Sequence, residues 1–387
     1  MEDIRSQFLV REDITFLNFG SFGATPKPIF EDYQKWQLLL EQEPVQFITV
    51  DGYEYVRQSR IALAGFLGCK EHELVFVTNP TYAINILAKD LKLNRGDEIL
   101  TTDLEYGAMD RTWEYYCEPK GAAYVKQHIS LPLTTKERFI EEFFAGYTHR
   151  TKVVFISQIT SSTGLIFPVK EICAEAKRRG LITIVDGAHV PAHIDLDLGQ
   201  LDADFYTGAC HKWMMAPKGC SFLFAREEFH DMLDPLIISW GYKSATPGSS
   251  IFHDHHQFNG TRDFSAFLTI PACLQFIEEH NWSERSALCK QRVLKYAPRI
   301  AEVLGTSPLA PLSEAFYGQL CSTPIRTADT FKLQRHLFEK YRIEIPVMMH
   351  GNQQYIRFSS QAFNTDEELD YLLETLTAIR TSSDLIS

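Results

Sequence analysis

The 387-residue chain lacks the features that mark a membrane protein or a nucleic-acid-binding protein. It has no stretch of about 18 uninterrupted apolar residues, so the sequence predicts no membrane span. Acidic residues outnumber basic ones, 50 against 38, and the net charge of −12 disfavours contact with a phosphate backbone or an anionic bilayer. We therefore expect neither nucleic acid nor a membrane as a partner.

Paired cysteines and a targeting segment are also missing. The eight cysteines are scattered without CxxC pairs or zinc spacing, which is typical of reduced, mostly buried thiols in a cytosolic protein. Residues 1–5 carry two acidic side chains and no apolar run follows them, so no secretory signal is expected. These absences predict a cytoplasmic location.

One histidine-rich run, His253-Asp254-His255-His256, could suggest a metal site. It offers no clear fourth ligand. The surrounding residues 251–263 are polar and irregular in pattern, which predicts a mobile, substrate-facing surface loop. We therefore expect no metal.

The middle of the chain alternates short apolar runs with helical patterns. The strand-like runs cover 73–78, 97–102, 152–157 and 181–186, with further strands around Tyr206 and over 219–224. This alternation predicts an α/β fold with a largely parallel sheet covered on both faces by helices. Ligands of such sheets bind beyond the carboxyl ends of the strands. Candidate residues follow five such ends and are expected to share one crevice: Thr81, Tyr106, Ser161, Asp186 and Lys212.

The length of the chain suits two domains. We predict an N-terminal segment over 1–22, a large α/β domain over 23–250, and a smaller α+β C-terminal domain over 251–387 that includes the 251–263 loop as an interface segment.

The pairing of Lys212 with Asp186 points to one kind of cofactor. A lysine amine can form a Schiff base with a pyridine aldehyde, and a carboxylate can keep the pyridine nitrogen protonated so that the ring accepts electrons. Neither residue alone would support this interpretation. Together they predict pyridoxal 5'-phosphate (PLP).

Three motifs, taken in order, resemble the class V aminotransferase family of PLP enzymes, and within it the isopenicillin-N epimerase-like branch. The motifs occupy 185–189, 207–213 and 259–263, and the resemblance extends from 17–23 to 355–359. It implies a PLP-dependent transferase fold of type I: a homodimer with active sites at the subunit interface, a large domain with a mainly parallel sheet, and a smaller C-terminal domain.

The resemblance also implies roles for residues around the cofactor. Lys212 would form the Schiff base and carry a proton at the substrate Cα. Asp186 would pair with the pyridinium nitrogen, although a helix-capping role is the alternative. His189 and, with weaker support, Ser161 would lie near the cofactor's 3-hydroxyl, and Tyr106 would stack on its ring.

The phosphate would be held by the turn that begins α-helical structure after the first strand. Its residues are Asn79, Pro80, Thr81 and Tyr82, joined by His211. Simple helix capping would use the same atoms. Relatives often carry Ser or Asn where this chain has Ala209, and Thr207 is the expected substitute contact. Gly260 and Thr261 resemble a segment that reaches the partner subunit's phosphate.

Four residues are expected to bind the substrate, a small molecule of the amino-acid class. Arg357 resembles the arginine that holds an α-carboxylate, where a planar guanidinium suits two parallel hydrogen bonds. Asn18 and Ser21 would line the entrance. Tyr242, or a histidine of the 251–263 loop, is a candidate second base.

The reaction is left open among several outcomes, because PLP stabilises charge at Cα in all of them. Aminotransferase-type chemistry is the prediction, with epimerisation or C–S/β-lysis as alternatives and a catalytically silent binding protein as a fourth. Desulfuration through a persulfide is disfavoured, because residues 345–354 contain no cysteine before Arg357, and Cys321 lies too far upstream.

Overall fold

The computed structural model describes residues 4–257 and 259–387. The strands are β1 (Thr15–Phe16), β2 (Leu74–Val77), β3 (Glu98–Thr102), β4 (Ala123–Gln127), β5 (Thr151–Ser157), β6 (Ile182–Asp186), β7 (Phe205–Ala209), β8 (Ser221–Ala225), β9 (Leu320–Pro324), β10 (Ile343–Glu344), β11 (Val347–His350) and β12 (Gln353–Ser359).

The α-helices are α1 (Phe19–Phe22), α2 (Lys27–Gln42), α3 (Pro44–Gln46), α4 (Gly52–Leu67), α5 (Pro80–Asp90), α6 (Gly107–Lys120), α7 (Lys136–Ala145), α8 (Val169–Arg178), α9 (Ile251–Gln257), α10 (Ser265–Leu268), α11 (Ile270–Glu279), α12 (Trp282–Val303), α13 (Thr330–Tyr341) and α14 (Asp366–Ser382). Short 3-10 or π turns cover Arg5–Gln7, Phe47–Asp51, Glu71–Glu73 and Glu227–Met232.

The large sheet has seven strands in the order β2-β8-β7-β6-β5-β3-β4, and only β8 runs antiparallel to its neighbours. Its central strands are apolar and buried on both faces. Val153 and Phe155 pack into one core with α5 and α6, whereas Val154 and Ile156 face a second core that includes α8. This is the side-chain alternation that a sheet covered on both sides requires. The predicted α/β fold is confirmed.

The strand order reverses between β3 and β5, because β4 lies outside β3 while β6 and β7 follow on the other side of β5. In doubly wound sheets a ligand crevice forms at such a point, outside the carboxyl ends of the strands. The polar residues that follow β3, β5, β6 and β7 meet at this edge.

The smaller C-terminal part contains an antiparallel sheet of order β11-β12-β9, packed against α12 and α13. The N-terminal segment joins it, because β1 pairs with β10 and Ser359 donates its backbone N–H to the Leu17 carbonyl oxygen. Strand β12 thereby brings Arg357 toward the large sheet.

The loop predicted over 251–263 is wrong for its first half, since Ile251–Gln257 is helix α9. The side chains of Phe252, His253 and His256 are buried, and the ring of Phe252 stacks on His230 at 4.2 Å. Sequence patterns count histidine as a polar residue, although these histidines bury their rings against an aromatic cluster, which explains the error.

The described residues contain no group of three or more His, Cys, Asp or Glu that could hold a metal ion. Within the same residues, no helix is long and apolar enough to cross a membrane.

Candidate active site

Lys212 lies in the turn that follows β7. Its Nζ is 3.1 Å from Nε2 of His189. Burial lowers the pKa of Lys212 to about 7, and the positive charge of Arg357 adds to this effect, whereas Asp186 opposes it. A lysine amine of which about half is neutral at pH 7 is a competent nucleophile for an aldehyde.

The backbone of Lys212 is packed against Gly23. A Cβ atom on Gly23 would lie 2.3 Å from the His211 carbonyl oxygen and 2.7 Å from that of Lys212, and Gly23 has a φ of +65°. Only glycine combines that conformation with so close an approach. The position of the lysine therefore depends on a residue almost 190 positions earlier in the chain.

Asp186 ends β6 and is buried. Its Oδ1 accepts a hydrogen bond of 2.9 Å from the Ala188 N–H. Burial raises the pKa of the Asp186 carboxyl, against the Ala188 hydrogen bond and the charge of Lys212, which lower it. A buried carboxylate is most stable beside a cation or a charged N–H donor. A pyridinium N–H would meet this requirement.

His189 is buried, and its Nδ1 has no hydrogen-bond partner among the residues that the structure describes. Burial and the charges of Lys212 and Arg357 hold the pKa of His189 well below its usual range, so the ring is neutral. The free Nδ1 is a polar position that a ligand oxygen could satisfy.

His193 is a second histidine of this loop that the sequence reasoning missed. Its Nδ1 donates to the His189 carbonyl oxygen (2.7 Å), and its Nε2 accepts from the Gln319 N–H (2.6 Å). The ring stacks on Trp213 at 4.0 Å. It ties the loop of His189 to the residue after Lys212 and to the smaller sheet. The only local signal for His193 was its position four residues after His189, a spacing of about one helical turn.

Arg357 is linked by hydrogen bonds to three of the other predicted residues. Its Nη2 donates to Ser21 Oγ at 2.8 Å, its Nη1 donates to the Ser161 carbonyl oxygen, and Ser21 Oγ donates to Asn18 Oδ1. Arg357 is buried and its Nε lacks a partner within the described part of the chain. Ser161 thus contacts the guanidinium, whereas its predicted contact with the cofactor hydroxyl stays a prediction.

Tyr106 lies four residues beyond the end of β3 and is the residue before helix α6. Its side chain is 47% exposed. It lies close enough to Arg357 to raise the pKa of that guanidinium, which burial lowers to about 10. An aromatic ring left open beside Arg357 is available for stacking.

The predicted phosphate turn forms the start of α5. Asn79 Oδ1 accepts from the Tyr82 N–H at 2.9 Å, and Pro80 occupies the first turn beside Thr81. His211 turns its Nδ1 toward the Cys220 carbonyl oxygen at 3.1 Å, and burial lowers its pKa to about 4.

Three other residues were predicted to contact a phosphate: Thr207, Gly260 and Thr261. The Thr207 hydroxyl donates to the Phe222 carbonyl oxygen at 2.7 Å inside the sheet, so it serves strand pairing. Gly260 and Thr261 are exposed, and the neighbouring Asn259 donates to the Tyr82 hydroxyl at 3.1 Å. This segment therefore lies beside the start of α5. Its predicted contact with a partner subunit stays a prediction.

Tyr242 contacts helix α9, and none of its contacts among the described residues is with Lys212. Its ring lies 5.6 Å from that of His255, and Lys243 Nζ lies 5.2 Å from its ring. Within one chain, the structure does not place it in the network of contacts around Lys212.

A family model described as Aminotransferase class-V matches residues 41–372. The chain belongs to the class V aminotransferase family. It is 31% identical to an isopenicillin N epimerase of Amycolatopsis lactamdurans, covering 96% of each protein, and 32% identical to one of Streptomyces clavuligerus, covering 98% of each. A probable chloroplastic L-cysteine desulfhydrase of Arabidopsis thaliana is 25% identical, covering 97% of this chain and 85% of the relative.

The fold is also shared with solved structures. The apo structure of a cysteine desulfurase from Thermococcus onnurineus superposes with a TM-score of 0.84 at 21% identity, covering 98% of this chain and 97% of that one. A C-DES variant with glycine covalently linked to its PLP cofactor gives a TM-score of 0.81 at 20% identity, covering 96% and 98%.

PLP is the cofactor of this class V enzyme. When bound, it supplies an aldehyde and a ring that accepts electrons from the substrate Cα. The residues present fit it. Lys212 with its lowered pKa, the buried Asp186 carboxyl and the unsatisfied Nδ1 of His189 are grouped beyond the ends of β6 and β7, and the start of α5 offers backbone N–H groups of the kind that bind a phosphate. Lys212, Asp186 and His189 would hold its aldehyde, its ring nitrogen and its hydroxyl.

No cysteine takes the place of a persulfide-forming nucleophile in the stretch before Arg357, where this class V chain has β11 and the turn into β12. Cys321 lies on β9 opposite Phe358 and is fully buried, which raises the pKa of its thiol to about 12. A thiol of this kind is inert as a nucleophile at neutral pH.

Proposed function

We propose that this enzyme removes a proton from the Cα of an amino acid, with Lys212 as the residue that binds PLP covalently and then carries the proton. Aminotransferase-type chemistry is the first candidate outcome. The supporting observation is the contact between Lys212 and His189 beside the buried guanidinium of Arg357. In this proposal, Lys212, the PLP site and the site for the substrate carboxylate at Arg357 lie within one crevice.

Arg357 would bind the α-carboxylate of the substrate. Its Nη2 and Nη1 are fixed by Ser21 and Ser161, which orients the planar guanidinium, and its Nε remains without a partner in the described chain. A prepositioned fork loses little entropy when it pairs with a carboxylate. Holding the substrate at this end aligns its Cα with the Lys212 amine.

Epimerisation is the second candidate, and the relatives favour it. Two isopenicillin N epimerases are 31% and 32% identical over nearly the whole chain, whereas the desulfhydrases reach 22% to 25%. An epimerase must return a proton to the opposite face of Cα. C–S or β-lysis is the third outcome, with relatives named as L-cysteine desulfhydrases.

We further propose that the active unit is a homodimer with shared sites. Large apolar side chains are exposed in two stretches of the chain, including Leu38, Val45 and Val50 in the first and Trp240 and Ile251 in the second. Exposed apolar surface of this kind is common at subunit contacts. The exposed Gly260 and Thr261 follow the second stretch.

A panel of L- and D-amino acids in deuterated water tests the proposed reaction. Loss of the Cα proton signal by NMR reports proton removal, and the product then separates the outcomes. A keto acid with a 2-keto acid co-substrate indicates transamination, the opposite enantiomer indicates epimerisation, and ammonia with a shortened keto acid indicates lysis. The proposal fails if the PLP-loaded protein exchanges no Cα proton in any amino acid of the panel.

A further inference from the structure

The carboxyl ends of β3 and β5 separate at the crevice. Their paired residues end at Leu100 and Val154, although β3 continues to Thr102 and β5 to Ser157. Backbone N–H groups beyond the last pair need other partners, because buried N–H groups are almost always hydrogen-bonded. The gap lies at the point where the strand order reverses.

The side chain of Glu105 fills this gap. Its carboxyl accepts the Ser157 N–H at 3.0 Å and the Ser157 hydroxyl with one oxygen, and the Thr102 hydroxyl at 2.7 Å with the other. Glu105 is 1% exposed. It therefore joins the last residue of β3 to the last residue of β5 in the way that a strand carbonyl would.

The same carboxyl is adjacent to two residues that the proposed function assigns to the cofactor. Glu105 immediately precedes Tyr106, and its partner Ser157 is the residue opposite Asp186 in the β5–β6 pairing. A shift of the Glu105 side chain would move the ring of Tyr106 and the end of β5 relative to Asp186. The geometry thus links the two groups expected above the ring and at its nitrogen.

Burial at this position disfavours the ionised form of a carboxyl group. Burial raises the pKa of Glu105 to about 8 against the hydrogen bonds of Ser157 and Thr102, and Asp186 adds to the increase. Its described partners are hydroxyl and backbone N–H groups rather than a lysine or arginine. An apolar side chain of similar size would avoid this cost but leave the Ser157 and Thr102 donors without acceptors.

We propose that Glu105 is a positioning residue for PLP, which closes the gap between β3 and β5 and thereby fixes Tyr106 over the cofactor ring while Asp186 meets its nitrogen. This inference rests on the proposed function in so far as Tyr106 and Asp186 are assigned to the ring. Glu105 would touch neither substrate nor cofactor.

Glu98 provides a matched control at the opposite end of the same strand. It is also a buried acid, and it accepts from the Thr148 hydroxyl and pairs with Arg150 at 2.9 Å. The variants to compare are Glu105→Leu, Glu105→Gln, Glu98→Leu and Glu98→Gln. Three properties are measured for each: the Kd of PLP for the apoprotein, the visible circular dichroism of bound PLP, and urea unfolding of the apoprotein.

Glu105→Leu is expected to raise the Kd about 10-fold or more and to weaken the visible dichroism, as loss of a supporting hydrogen-bond network does elsewhere. Glu105→Gln, which keeps an acceptor and can donate to Thr102, is expected to stay within about 3-fold of the wild type. Both Glu98 variants are expected to lower stability in urea and leave the Kd and dichroism unchanged.

Wild-type Kd and dichroism in Glu105→Leu would overturn the inference, as would an equal loss of cofactor affinity in Glu98→Leu. If Glu105→Leu does not fold, Glu105→Asp replaces it, since it keeps the carboxyl group and shortens the reach by one methylene. An unchanged dichroism in that variant would also refute the role. Failure of the proposed function itself shows separately, as a wild-type protein in which borohydride fixes no PLP to Lys212.

Discussion

Nζ of Lys212 lies 3.1 Å from Nε2 of His189, and the two groups differ widely in basicity. The pKa of Lys212 is lowered to about 7, while that of His189 is held well below its usual range. A proton shared by this pair therefore rests on the lysine. In the proposed mechanism, Lys212 is therefore the base that acts at Cα, while His189 would orient it and keep Nδ1 for the cofactor.

Removal of the Lys212 amine is expected to abolish covalent attachment of PLP. Lys212→Ala should show no cofactor adduct after borohydride reduction, measured by the mass of the intact protein and of its peptides. Lys218→Ala is the control, because this lysine lies in the same segment and donates to the Gly23 carbonyl oxygen. It should retain the adduct. An adduct at another lysine in Lys212→Ala would refute the assignment.

The rate at which PLP is incorporated into the apoprotein is expected to depend on pH through Lys212. Burial lowers its pKa from 10.5 to about 7, so the neutral, nucleophilic amine is lost below pH 7 and fully present well above it. The rate should fall about tenfold per pH unit below 7 and level off by about pH 8. Stopped-flow absorbance measures it. A rate that continues to rise up to pH 10 would show an unperturbed lysine.

The sequence predicted the sheet, the crevice and the pairing of Lys212 with Asp186, because strand periodicity and short motifs are local signals. It missed Glu105 and His193, whose importance comes from contacts with Ser157 and Gln319 that lie 52 and 126 residues away. It also predicted a loop where α9 forms, because burial of its histidines depends on packing against His230 and Phe252. Distant contacts leave no local pattern in a single sequence.

Loss of the planar guanidinium of Arg357 is expected to weaken substrate binding while PLP still binds. Arg357→Lys keeps a positive charge but cannot make two parallel hydrogen bonds, which should cost about 2–3 kcal/mol, or roughly 30- to 150-fold in KM. Steady-state kinetics and PLP titration separate the two effects. Arg326→Ala, an exposed arginine of the smaller domain, serves as the control. An unchanged KM in Arg357→Lys would remove Arg357 from the substrate site.

Helix α9 is expected to make the protein sensitive to acid. Burial lowers the pKa of His253 to about 4 and that of His256 to about 3, so both are neutral in the folded protein at pH 5. The unfolded histidines take up protons near pH 6.5. Because the unfolded state binds more protons, the stability is full above pH 6.5 and falls as the pH decreases, by roughly 2 kcal/mol per histidine at pH 5.

Urea unfolding at pH 7 and pH 5 measures this effect. His256→Gln should lose less stability between the two pH values than the wild type, whereas His149→Gln, at an exposed histidine, should lose as much. Equal losses in all three proteins would show that the buried histidines of α9 do not control the acid response.

Gly23 is expected to control the position of Lys212 through backbone contact. A Cβ at Gly23 would lie 2.3 Å from the His211 carbonyl oxygen, whereas a Cβ at Gly180 meets nothing within 4 Å, and the two glycines have similar φ values of +65° and +69°. Both alanine variants should therefore lose roughly 1 kcal/mol or more of stability from the positive φ. Only Gly23→Ala should also displace Lys212, which would lower the fraction of protein that borohydride fixes to PLP. If Gly23→Ala and Gly180→Ala bind PLP equally well at equal stability, the close approach of Gly23 has no bearing on the site.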